Sequence, residues 1–178
     1  MSEPRRVRRE RPWRDAEIRR QALRYLLAVG LAGTAGLVTG WGHAYWAMAA
    51  AAVPLGAAAL GERLRRGVHR VGGTLLGIGL TALILWPDPA VPVLVLLIPV
   101  LQFPAELFMR RHYGLAQTFF TPLVLLVTLL AHPGNPEVIL LDRALETLLG
   151  AVVGMTVAVV LRTRKPSTPE GAAPGSAQ

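Results

Sequence analysis

Basic residues occupy only alternate gaps between six apolar runs, and that alternation constrains this chain more than any motif in it. The runs cover residues 25–41, 44–60, 71–86, 91–109, 115–131 and 138–161. Each is near the length needed to cross a hydrocarbon core of ~30 Å. Of the 19 Lys and Arg residues, all but Arg143 fall in the first 24 residues, in 61–70 (Arg63, Arg65, Arg66, Arg70), at Arg110 and Arg111, or after Leu161 (Arg162, Arg164, Lys165). The intervening gaps, 42–43, 87–90 and 132–137, carry none. Positive charge is retained on the cytoplasmic side of a membrane, so the basic gaps share that side and both termini are cytoplasmic.

These features predict an all-α integral membrane protein with six transmembrane helices, multi-pass in a bacterial inner membrane. Its parts are a basic cytoplasmic N-terminal segment (1–24), a six-span membrane domain (25–161) and a disordered cytoplasmic tail (162–178) rich in Pro, Gly, Ala and Ser. The net charge of +8 does not indicate nucleic acid, because the basic residues stand where they set topology and meet anionic lipid headgroups. The absence of cysteine excludes disulfides, iron–sulfur clusters and thiolate metal sites. The Arg-rich start resembles an export signal, with Arg19 and Arg20 as a twin arginine. Five further spans follow, so the first run reads as a retained anchor, entered through a basic stretch (15–24) lying helical at the membrane surface.

Two stretches repeat. Arg70 and Arg143 are each followed, after three residues, by Thr-Leu-Leu-Gly, ending at Gly77 and Gly150. Tyr45 and Tyr113, each close behind a histidine, are each followed nine residues on by Pro-Leu, at Pro54 and Pro122. The matches set spans two and three against five and six. A repeat of three spans must enter the membrane from opposite sides in its two copies, which is the inverted topology typical of transporters with a site near the midplane. Small residues four apart (Gly36 and Gly40, Gly73 and Gly77, Gly150 and Gly154) and the alanines of span two predict close helix packing. Pro54, Pro99, Pro104 and Pro122 lie inside spans and predict kinks.

The signatures from His43 to Ala47, Arg70 to Gly77, Tyr113, and Arg143 to Gly150 resemble the fusaric-acid-resistance and aromatic-acid-exporter family over about residues 25–161. The resemblance implies efflux of organic anions such as aromatic carboxylates. Larger members carry extensive cytoplasmic regions and often a second membrane module, so a homodimer is the expected assembly for this single module. Glu146 stands where the family pattern leads one to expect Asp.

Arg143 is the one basic residue outside the cytoplasmic gaps, and a guanidinium in a bilayer is costly unless paired or wetted. It reads either as a clamp for a substrate carboxylate or as a structural ion pair with Glu146 or Asp142. Thr147 shares its helix face. Arg70 and Thr74 are equivalent in the first half, although Arg70 also fits simple topology setting. Tyr45 and Trp46 are candidates to line the path, or else interface anchors like Trp41 and Trp86. Gln117, Thr118 and Thr121 offer uncharged hydrogen bonds, with Gln117 and Thr121 retained as substrate-binding candidates. Glu106 and Glu146 are candidates for proton coupling, with an ordinary helical pair to Arg110 as the alternative for Glu106. No nucleophile elbow, His-Glu-x-x-His pair or aspartyl dyad occurs, so no enzyme, cofactor or metal is expected. A membrane scaffold subunit and a passive anion channel are the competing functions.

Overall fold

The computed structural model describes residues 16–57 and 59–161. They form α1 (Ala16–Val38), α2 (Ala44–Leu55), α3 (Leu60–Leu85), α4 (Val91–Met109), α5 (Tyr113–Ala131) and α6 (Pro136–Val160), with no strand among the described residues. Local chemistry sets several of the boundaries. Gly40, at φ 72°, takes the left-handed conformation just past α1, where a side chain would be strained. Asn135 caps α6 by accepting from the Glu137 N–H at 2.9 Å, and Pro136 begins the helix where a missing N–H costs nothing.

Five of the six helices are long and apolar enough to cross a membrane. The exception corrects the expected second span. α2 has 12 residues, roughly 18 Å at 1.5 Å per residue, against the ~30 Å of a hydrocarbon core. The apolar run continues to residue 60, but the chain turns after Leu55, just past Pro54, and the turn is held by tertiary bonds. Gln21 Nε2 donates to the Leu55 carbonyl at 2.9 Å and Arg63 Nε to the Ala57 carbonyl at 2.6 Å. The basic gap 61–70 is helical. It forms the first turns of α3, where Glu62 accepts from Arg66 at 3.0 Å. The basic stretch before residue 25 is continuous with α1 from Ala16 onward rather than a separate surface helix. The 1–15 segment and the 162–178 tail lie outside the described residues.

Cationic side chains gather where helices end. Arg24 Nη2 donates to the Leu161 carbonyl at 2.6 Å, just past the end of α6, as Gln21 does at the end of α2. Terminal carbonyls have no partner within their own helix, so these contacts meet a real deficit. They also place the start of α1, the end of α2, the start of α3 and the end of α6 at one basic end of the bundle. Replacing buried Arg63 by Met is expected to leave the Ala57 carbonyl unmet and to lower stability by about 1–3 kcal/mol, read as a lower melting temperature in detergent.

The helices pair through small residues. Gly150 and Gly154 on α6 rest against Ala47, Ala50 and Ala51 of α2, while Gly73 and Gly77 on α3 rest against Gly114, Gln117, Thr118 and Thr121 of α5. A methyl group at Gly77 would come within 2.5 Å of Thr121 Cβ, so these seams admit no side chain. α1 covers α2 and α6, α4 covers α5, and α3 meets α6 at the centre. Leucines, valines and Phe103 on the outer faces remain exposed, as expected of helices whose surroundings are lipid.

Candidate functional site

The two Arg-Thr turns meet at the α3–α6 contact. Four-residue spacing puts Arg70 and Thr74 on one face of α3, and Arg143 and Thr147 on one face of α6. Gly67 of α3 abuts Met155 of α6, and Ile78 joins the cluster of Trp46, Leu125 and Ile139 farther along, so the two helices run antiparallel. Arg70 and Thr74 on α3, and Arg143 and Thr147 on α6, all lie between these two marks. All four side chains are buried, Arg143 to 2% exposure.

On the α5 side the polar groups form a chain. Arg70 Nη1 donates to Gln117 Oε1 at 2.6 Å, Gln117 Nε2 to Thr121 Oγ1 at 2.9 Å, and the Thr121 hydroxyl to the Gln117 carbonyl at 2.9 Å. The Tyr113 hydroxyl lies 3.5 Å from Arg70 Nη1. Arg70 thus does more than set topology: part of its charge is turned inward and held by an uncharged amide.

On the α2 side the arrangement differs. α2 begins level with Glu146, ten residues into α6, because the His43 N–H donates to Glu146 Oε1 at 3.0 Å. The His43 ring stacks on Trp46, with centroids 4.2 Å apart and planes 12° from parallel, and its Nδ1 lies 3.4 Å from Asp142 Oδ2. The Arg143 guanidinium carbon sits 4.8 Å from the Trp46 ring centroid, a cation–π contact. Among the described residues Arg143 makes no ion pair. The expected alternative, a structural bridge to Glu146 or Asp142, is not formed.

Several buried polar atoms here lack a hydrogen-bond partner: Arg70 Nε, Thr74 Oγ1, Arg143 Nε, Glu146 Oε2 and Thr147 Oγ1. Native proteins leave few such atoms, because each carries a desolvation cost. All five belong to the repeated motif or its neighbour Glu146. Four of the five, the two Arg Nε–H groups and the two Thr hydroxyls, can donate to an acceptor, while Glu146 Oε2 is itself an acceptor.

Other sequence candidates fall elsewhere. Tyr45 is 54% exposed, whereas its neighbour Trp46 is buried at the site. Glu106 is exposed on α4, accepts from Gln102 at 2.7 Å and makes no bridge to Arg110. Tyr113, Asp142 and His43 join the site without having been among its sequence candidates. The His-Tyr element of the repeat was the signal that could have found His43 and Tyr113.

Residues 31–157 match the family model described as fusaric acid resistance protein-like. An uncharacterized membrane protein of Bacillus subtilis (strain 168), YvaC, is similar at 30% identity over 146 residues, covering 81% of this chain and 23% of that protein. The chain therefore spans less than a quarter of that relative's length. No solved structure matches the chain.

Proposed function

The chain belongs to the fusaric acid resistance protein-like family of membrane proteins, and on that premise we propose that it transports organic anions, aromatic carboxylates among them, out of the cell. The observation that carries this reading is buried Arg143, unpaired by either neighbouring acid and opposed across the α3–α6 contact by Thr74 and Arg70. A carboxylate passing between the two guanidiniums would meet Arg70 toward the basic end, then the two threonine hydroxyls, and Arg143 with the Trp46 face beyond. Gln117 and Thr121 hold Arg70 in place. Glu146, buried beside Arg143, is the better-placed of the two proton-coupling candidates, since Glu106 lies outside the cluster. The reading assigns no enzymatic step and no cofactor.

Alternation of access suits an inverted repeat of α1–α3 and α4–α6. Its support is the exchange of partners, α2 on α6 and α5 on α3, with a glycine pair at each seam. His43 and His112 also precede α2 and α5 at similar φ, −132° and −134°, with ψ 44° and 77°. The scaffold alternative loses one of its two supports, because the Gly73–Gly77 and Gly150–Gly154 seams are consumed inside the bundle, and keeps the other, the basic surfaces.

In a bacterial inner membrane the basic end faces the cytoplasm on this reading, with the homodimer as the working assembly. The cysteine-free chain makes its orientation testable with single introduced thiols. A thiol at Glu137 is expected to label from outside intact cells and one at Arg111 only after lysis; the reverse pattern would invert the topology. Cells producing the chain are expected to accumulate less labelled benzoate than cells producing the Arg143→Gln variant. Equal accumulation would count against export.

A further inference from the structure

A guanidinium with a carboxyl group three residues along its own helix, as Arg143 has in Glu146, is spaced to pair with it. Arg143 does not pair, and the reason is a single residue at the start of α2. The His43 backbone N–H takes Glu146 Oε1 at 3.0 Å, its Nδ1 faces Asp142 Oδ2 at 3.4 Å, and its ring stacks on the Trp46 indole that Arg143 also touches. We propose that His43 is a positioning residue that withholds Asp142 and Glu146 from Arg143, keeping the guanidinium available to a substrate anion. The inference rests on the anion-transport reading and deepens it by naming what maintains the charge of the site.

The surroundings leave His43 as the controlling contact. Of the helices packed on α2, α6 presents Asp142, Arg143 and Glu146 at this level. α1 and α3 carry all their ionisable side chains toward the basic end, none beyond Tyr25 on α1 or Arg70 on α3. Tyr45, on α2 itself, meets the His43 ring edge-on at 5.8 Å. The roles of the residue also separate by chemistry. Any amino acid at position 43 except proline supplies the backbone N–H for Glu146, but only a side chain with a donor near the Nδ1 position holds Asp142. Loss of the imidazole therefore leaves Asp142 without its contact, a negative charge beside the site that disfavours a bound anion.

The test uses the full chain with Trp13, Trp41 and Trp86 replaced by Phe, so that emission reports Trp46 alone, and benzoate as the probe. His43→Ala is expected to weaken benzoate binding about tenfold, or 1.4 kcal/mol. His43→Asn, which keeps a donor near Nδ1, should stay within about threefold of the parent. The double variant His43→Ala with Asp142→Asn should recover parental affinity, since the charge that His43 held is gone and the backbone N–H of residue 43 still holds Glu146. A packing role would not produce that rescue. Unchanged binding in His43→Ala, or a double variant as weak as the single one, overturns the assignment. Arg143→Gln separates the two levels: if it loses binding while the rescue fails, the anion site stands and the role of His43 falls. If it binds benzoate as the parent does, the site is misplaced and both fall.

Discussion

Arg143→Gln is expected to reduce benzoate flux in proteoliposomes at least about a hundredfold while the protein still purifies as a folded, monodisperse species. Removing one partner of a buried charge-to-charge contact costs about 2–5 kcal/mol, and glutamine offers neither the charge nor the paired donors of a guanidinium. Folding should survive because Arg143 makes no ion pair among the described residues and lies against the Trp46 ring. Glutamine is apolar enough in its stem to rest there, and it removes the cost of a buried charge. Arg143→Lys should fall between the two, since it restores charge without the planar fork. A fully active Arg143→Gln would remove the residue from the transport path.

The second large effect is structural. Gly150→Val is expected to destabilise the protein by more than about 3 kcal/mol or to prevent its assembly, because a Cβ at this position would overlap the Ala47 carbonyl and approach Ala50 Cβ to 2.8 Å. Neither neighbour can yield easily: one is backbone, the other a methyl fixed to it. At Gly79, on α3, a Cβ would meet nothing within 4 Å. Gly79→Ala should therefore stay within about 0.5 kcal/mol of the parent or gain slightly from better helix propensity. Thermal unfolding in detergent distinguishes the two. Similar losses at both positions would mean that glycine matters for helix flexibility and not for the α2–α6 seam.

Hydropathy made most of the helices legible, and the α4 boundaries agree with the apolar run from 91 to 109. It failed at α2 for a specific reason. A hydropathy window reads straight through Gly56 to Leu60, whereas the turn there depends on Gln21 and Arg63, which reach it from other helices. The basic gap 61–70 is itself helical, since Arg and Leu favour helix and Glu62 pairs with Arg66 across one turn.

Within the site, the repeat led to Arg70, Thr74, Arg143 and Thr147, and helical spacing predicted that each pair shares a face. What spacing could not give was the partner of each charge. Proximity along α6 argued for Arg143 with Glu146, but the α1–α2 connection carries His43 to the two acids first. Glu106 shows the same limit: its residue spacing to Arg110 is right for a pair, while the fold gives it Gln102 instead.

The central claim is that this chain carries organic anions across a membrane through the Arg70–Arg143 layer. Its most direct test is the flux of labelled benzoate by purified wild-type protein in liposomes, with and without an imposed pH gradient. The account predicts saturable flux above protein-free liposomes. Folded protein that moves neither benzoate nor other organic anions under either condition would contradict it.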